Sequence, residues 1–231
     1  MTALCWWRDD DAGRAHPRLF RLLDLAEANG VPIGLAVVPA WLEPDAAQRI
    51  RRSPNATVLQ HGIAHDDHGG SEQRKIELGG TVDRAWLERT LVDHRRRLED
   101  AFGEQFLPVM VPPWNRMDPD LFPRLPELGF VGVSMDRGPV LAGPPRRADV
   151  HVDAMDWQGT GRQRPLGDLQ AAMHAVLDSG MTPVGLMTHH LVVDDPGWDD
   201  LDRLLGLRHD GRVVPWASPV ELFEGREPTA G

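Results

Sequence analysis

The sequence predicts an α/β protein, a (β/α)7-8 barrel of mostly parallel strands surrounded by helices. Short continuous apolar runs alternate with amphipathic stretches of helical period, the pattern of a parallel sheet covered by helices. The alternation occurs about seven times, which at this chain length favours a barrel over an open sheet. Titratable residues also gather just after the apolar runs. In either architecture, ligand chemistry belongs at the C-terminal ends of the strands.

The elements follow in order. "ALCWW" is apolar, is halted by Asp9, Asp10 and Asp11, and reads as the first strand. A helix follows from Pro17 to Gly30, with Leu19, Leu22, Leu23, Leu25 and Ala26 at helical spacing. "IGLAVVP" (33–39) is a buried strand stopped by Pro39, "PDAAQRIRR" a short helix, and "ATVLQ" (56–60) a strand. The clearest helix spans 82–102, with Trp86, Leu87, Leu91 and Leu98 on one stripe. "FLPVMVP" (106–112) is a strand, 118–129 a broken helix, and "FVGVSM" (130–135) a strand. The Pro/Gly-rich stretch 137–149 reads as a loop, and "ADVHVDAMDW" holds another strand. A helix over 166–180, a strand over 183–190, a helix in "WDDLDRLLGL" and a last short strand in "RVVPWA" complete the chain. With no repeat and no low-complexity linker, residues 1–231 read as one domain.

Composition narrows the function. The apolar content of 41% suits a real core, and a net charge of −10 argues against nucleic acid as a partner. The basic run His94–Arg97 reads as a solvated helix face. A single cysteine, Cys5, permits no intrachain disulfide and fits a reducing compartment. "MTALCWWRDDD" shows neither a basic leader nor a long apolar segment, and no run approaches the roughly 18 apolar residues of a membrane span. A cytoplasmic protein without a membrane partner is expected. Tyrosine is absent while tryptophan occurs 8 times, so tryptophan must supply any aromatic platform.

The strand ends carry the candidate chemistry. They hold Asp9–Asp11, the run His61–Gly69, Pro112–Arg116, Asp153–Trp157, and the pair His189 and His190. His61 and His65 are four residues apart, so on a helical turn both imidazoles face one way and can share a cation. A carboxylate from the first strand is the natural third ligand. Such a set leaves positions open to water, which is the pattern of a catalytic site. A divalent cation would also offset the repulsion among the three adjacent carboxylates. Successive strand residues face opposite ways, so one can bind metal, a neighbour can act as a base, and the last can pair outward with Arg8. Each motif alone has an ordinary explanation as a turn, a packed tryptophan or a surface histidine. Their coincidence at matching strand ends does not.

The order of these motifs resembles the polysaccharide deacetylase family, carbohydrate esterase family 4, over residues 4–192. The family's aromatic-Asp-Asp-Gly motif aligns with Asp10, Asp11 and Ala12, and a register of Asp9 and Asp10 is the alternative. The resemblance implies that Asp10 is the catalytic base and Asp11 a metal ligand. "HGIAH" matches the second motif, making His61 and His65 ligands, with Gly62 in place of a hydroxyl residue that usually buttresses the loop. "VPPW" stands for Arg-x-Pro-Tyr: Val111 replaces an arginine that holds the catalytic Asp, and Arg8 or Arg116 could substitute. Pro113 and Trp114 fall in the oxyanion and substrate-binding motif, with the Trp114 backbone N–H as the oxyanion donor. "DAMDW" gives Asp153, Asp156 and the pocket wall Trp157, and "LMTHH" gives His189 as the general acid, with His190 the alternative.

The resemblance implies a distorted barrel and metal-assisted removal of an N-acetyl group from an amino sugar or related small N-acyl compound. The ion would be Zn²⁺, with Co²⁺, Ni²⁺, Fe²⁺ or Mn²⁺ also suited to the ligands. Two other readings compete. One is a hydrolase of a non-acetyl amide or ureide on the same fold, with or without metal. The other is an inactive carbohydrate-binding relative, which the loss of arginine at 111 supports.

Overall fold

Strand β1 (Cys5–Ala12) lies at the centre of the sheet because its apolar half is wholly buried, with Cys5, Trp6 and Trp7 out of solvent. The computed structural model of the chain describes residues 3–70, 74–136 and 145–225. On one edge of β1 lies β8 (Val184–Thr188); the other edge is shared by β11 (Trp216–Ala217) along Cys5 and Trp6 and β2 (Ile33–Val37) from Arg8 onward. Beyond β2 come β3 (Ala56–His61), β4 (Phe106–Val111), β5 (Gly132–Val133) and β6 (Arg146–Arg147), and beyond β8 comes β7 (Val152–Asp153). Every pairing in this sheet is parallel. All its strands therefore point their C-terminal ends at one mouth, as a parallel barrel requires.

A single extended segment curls the sheet toward closure. The amides of Arg146, Ala148 and Val150 donate to the carbonyls of Val131, Val133 and Met135. The next amide, His151, turns the other way to Gly185, and Ala154 follows onto Met187. Residues 146–154 thus stitch the β5 side to the β8 side. The distorted barrel expected from the sequence is the observed architecture.

Helices α1 (Pro17–Asn29), α2 (Pro44–Arg51), α3 (Arg84–Phe102), α4 (Leu166–Asp178), α5 (Asp195–Leu205) and α6 (Pro219–Glu224) cover the sheet. Helix α1 starts on Pro17 and is closed by Gly30 at φ 61, a left-handed position that glycine takes without a Cβ penalty. Leu19, Leu22, Leu23 and Ala26 form its buried face. Among the described residues, no helix is long and apolar enough to cross a membrane.

Several expectations need correction. Trp86 is not on the buried stripe of α3: Leu87, Leu91, Leu98 and Phe102 are, and Trp86, one position round the helix, is 41% exposed beside His68. The strand expected over 130–135 contracts to Gly132–Val133, where Phe223 packs onto Gly132 so closely that a Cβ there would lie 2.2 Å from its ring. Of the loop expected over 137–149, residues 137–144 lie outside the described residues, and Arg146–Arg147 form β6. The segment 118–129 holds only a 3-10 stretch, Pro119–Arg124, because Pro123 and Pro126 lack the N–H that an α-helix needs. "RVVPWA" is two elements. β10 (Arg212–Val213) forms an antiparallel hairpin with β9 (Arg208–His209), and β11 joins β1, with the donor-less Pro215 between them.

Candidate active site

The site is built where β1, β3, β4, β7 and β8 end. β1 does not stay extended to its last residue: Asp11 has φ 68, and the pairing with β2 shifts between Asp9 and Ala12. This kink separates the three carboxylates. Asp9 is fully buried, and its oxygens take the Thr188 hydroxyl at 2.7 Å, the His190 amide at 3.0 Å and His190 Nδ1 at 2.5 Å. Asp10 is gripped by Arg8: Nη2 donates to Oδ2 at 2.9 Å, and Nε approaches Oδ1 at 2.8 Å without the alignment of a hydrogen bond. Asp11, released from the strand, turns toward β3.

The outward salt bridge expected for one of the three carboxylates is therefore an inward one. Arg8 has no solvent exposure, and it also donates to Ser134 Oγ at 2.8 Å and Asn115 Oδ1 at 2.7 Å. Arg116 does not reach Asp10; it donates to the Lys75 carbonyl at 3.1 Å. Of the two arginines weighed as substitutes for the one missing at Val111, Arg8 is the one that contacts Asp10.

His61 closes β3, and its Nδ1 lies 2.9 Å from the Val111 carbonyl. That carbonyl can only accept, so the proton sits on Nδ1 and the Nε2 lone pair is free. His61 Nε2 lies 3.3 Å and His65 Nε2 3.4 Å from Asp11 Oδ1. Among the described residues, Asp11, His61 and His65 form the one group of at least three such side chains whose ligand atoms lie close enough to hold an ion. The expected helical turn is absent. Gly62 and His65 both have positive φ (56 and 64), and an irregular loop brings the imidazoles together. The His65 ring packs between Trp114, at 4.4 Å between centroids, and Trp41, at 5.6 Å. Sequence reading missed Trp41.

Asp11 Oδ1 is buried without a hydrogen-bond partner, a donor set of one carboxylate and two imidazoles surrounds it, and the tautomer of His61 is fixed outward. These residues fit a divalent ion. Electrostatics agree. Burial alone would raise the Asp11 pKa, but the neighbouring imidazoles of His61, His189 and His65 outweigh it and hold the carboxyl well below its usual range. Burial opposes charge on His61, yet the Asp11 and Asp10 carboxylates hold its pKa above the ordinary value. His65, desolvated and facing His61, is held below.

A cleft of about 1110 Å³ opens over this group, lined among others by Asp10, Trp114, Asp153, Trp157 and His189. His189 stands at its wall, edge-on to Trp157 at 5.0 Å, and its Nδ1 is buried without a partner. His190 is turned inward against Asp9 and does not line the cleft. Asp153 accepts from the Met155 amide at 2.8 Å and the Trp157 indole at 2.9 Å, and burial raises its pKa. Asp156 caps its own turn through the amides of Gly159 and Thr160, which leaves its carboxylate engaged in loop structure. Pro113 is buried beneath Gly62 rather than exposed to the cleft. Trp114 follows it at φ 55. Arg74, Lys75 and Arg116 line the Trp114 side, with Lys75 Nζ 5.6 Å from the indole centroid.

Sequence reading also missed Glu77. This fully buried carboxylate accepts the amides of Ile63, Ala64 and Asp66 beneath the histidine loop. Gly62, lacking the hydroxyl expected at that position, was the one hint that something else supports the loop.

The chain shares its fold with solved structures of carbohydrate esterase family 4 proteins. No protein-family model and no curated protein matches the sequence. Solved structures do match in fold. A family 4 acetyl xylan esterase from Clostridium thermocellum, in complex with a cobalt ion, superposes with a TM-score of 0.62 at 17% identity, over 96% of this chain and 90% of that one. A peptidoglycan N-acetylglucosamine deacetylase gives 0.63 at 14% identity, over 96% and 88%. A CE4 family pseudoenzyme from Bacillus anthracis gives 0.62 at 14%, over 96% of this chain and 66% of that one.

Proposed function

We propose that this protein is a divergent member of carbohydrate esterase family 4: a metal-dependent hydrolase that removes an N-acetyl group from an amino sugar or related small N-acyl compound. One observation carries the reading. Two buried polar atoms with neither a hydrogen-bond partner nor a cation, Asp11 Oδ1 and His189 Nδ1, belong to residues that line one cleft. Buried polar groups are ordinarily satisfied, and orphaned ones gathered in a cleft mark a working site.

Asp11, His61 and His65 would hold the ion, with Zn²⁺ first and Co²⁺, Ni²⁺, Fe²⁺ or Mn²⁺ also compatible with the donors. When bound, it would polarise the acyl carbonyl and acidify a water molecule. Asp10, clamped by Arg8 and lining the cleft, takes the proton of the attacking water. The Trp114 backbone N–H donates to the developing oxyanion. An amine leaves poorly unless protonated, so His189 delivers a proton to the departing nitrogen. Trp114 and the half-exposed Trp157 offer flat faces for a sugar ring.

The inactive-relative reading rested on the missing arginine at 111. The Arg8–Asp10 pair supports an active enzyme, while the fold match to a CE4 family pseudoenzyme fits the inactive reading, and turnover separates the two. Hydrolysis of a non-acetyl amide uses the same groups and is separated only by substrate.

The test is acetate release from a panel of N-acetyl compounds before and after chelation. The stripped protein is expected to be inactive and to regain activity with one equivalent of Zn²⁺ or Co²⁺. A protein that binds one ion and releases acetate from nothing on the panel would leave the binding protein standing. Full activity after complete stripping would remove the metal from the account.

A further inference from the structure

We propose that Glu77 is the positioning residue for His65, acting through the backbone of the loop that joins the two imidazoles. The inference rests on the metal reading above but concerns a residue outside the cleft.

Glu77 has no solvent exposure, and among the described residues no cation pairs with it. A carboxylate buried without a counter-ion is costly unless it is fully hydrogen-bonded. Here three backbone amides do that. Oε2 accepts from Ile63 at 3.0 Å, and Oε1 accepts from Ala64 at 2.7 Å and from Asp66 at 3.1 Å. The last two residues flank His65, so one oxygen brackets it from both sides. His65 needs such a bracket. It holds φ 64, a left-handed conformation that costs a non-glycine residue about 1–2 kcal/mol and persists only where its surroundings impose it. Released from the two bonds, the residue would relax and its Nε2 would leave Asp11.

Gly62 is the complement of Glu77. It has φ 56, and a Cβ there would lie 1.9 Å from Glu77 Oε2 and 2.7 Å from Pro113 Cδ. The loop backbone sits directly on the carboxylate, with no room for a side chain between them. The hydroxyl expected at position 62 and the carboxylate at 77 therefore exclude one another, and this chain carries the carboxylate. The carbonyl of Glu77 also meets His68 Nδ1 at 2.7 Å, which fastens the far end of the loop to the same residue.

The experiment measures Zn²⁺ affinity of the full chain by competition with a chromophoric chelator, at a temperature where circular dichroism shows each protein folded. Glu77→Gln keeps the size and turns an N–H toward one of the amides. The expected result is an affinity about 10- to 100-fold weaker than wild type, still with one ion per chain. Gln105→Ala serves as the control for destabilisation elsewhere. Its side-chain amide holds the carbonyls of Ile50, Ser53 and Ala56 at the N-terminal ends of β3 and β4, opposite the ends that form the cleft, and its loss is expected to lower the thermal midpoint with Zn²⁺ affinity unchanged. A folded Glu77→Gln protein with wild-type affinity, or an equal loss in Gln105→Ala, would overturn the proposal. If Glu77→Gln does not fold, Gly62→Ala is measured instead. Its methyl group displaces the carboxylate and is expected to weaken Zn²⁺ likewise; unchanged affinity overturns the proposal there too. A wild-type chain that binds no Zn²⁺ removes the metal reading itself, and this inference with it.

Discussion

An Asp10→Asn protein will keep its metal and lose turnover by about a hundredfold or more, the usual contribution of a general base. The substitution preserves shape and keeps one oxygen for Arg8, but it removes the charge that pairs the buried guanidinium and sets an NH2 group against one of its N–H donors. Activity is therefore compared at a temperature where the variant is folded. An amide cannot act as the base. Asp10 is not among the metal-ligand group. Metal content and activity should therefore separate: Zn²⁺ stoichiometry by mass spectrometry stays at one per chain while the rate of acetate release falls. The measurement also decides the register of the acidic run. Asp9→Asn disturbs a buried network with Thr188 and His190, so its first effect is expected on stability. Asp11→Asn is expected to weaken the ion. An Asp10→Asn protein as active as wild type would remove the base assignment.

Replacing Arg8 with Met is expected to destabilise the fold by about 3–5 kcal/mol, since it strips the partner from a buried carboxylate and leaves that charge uncompensated. The guanidinium is wholly buried and ties together β1 through Asp10, the segment after β5 through Ser134, and the segment after β4 through Asn115. For a chain of this size the thermal midpoint should fall by roughly 10 °C. Arg8→Lys should recover little, because an ammonium cannot supply the planar fork that reaches three acceptors. Calorimetry of the metal-free proteins reads the effect apart from ion binding. A midpoint within a degree or two of wild type would show that Arg8 is not holding these strands together.

The central strands were legible because each is a short, mostly apolar run of about five residues bounded by acid, proline or histidine. β1, β2, β3, β4 and β8 lie where those runs lie. β5, β6 and β7 pair over two residues apiece, too short for any periodicity, and β6 is a pair of arginines with no apolar signal. The histidines and the acidic run were legible as a group, because parallel strands deliver their ends to one mouth. The way they converge was not. Spacing suggested a helical turn, whereas residues at positive φ, Asp11, Gly62 and His65, make the geometry, and no local pattern marks which Asp or His takes such a value. Adjacent residues with opposite fates, His189 in the cleft and His190 against Asp9, were equally undecidable from a pair of identical letters. Glu77 was invisible. It sits in an unremarkable "RKIELGG", and its importance comes from a loop that leaves β3 more than a dozen residues earlier.

The most direct measurement is an anomalous difference map from crystals grown with Zn²⁺, recorded at the zinc edge. The expected result is one peak per chain, about 2.0–2.2 Å from Asp11 Oδ1 and from the Nε2 atoms of His61 and His65. No peak there, or an ion bound elsewhere with these three side chains directed apart, would contradict the account.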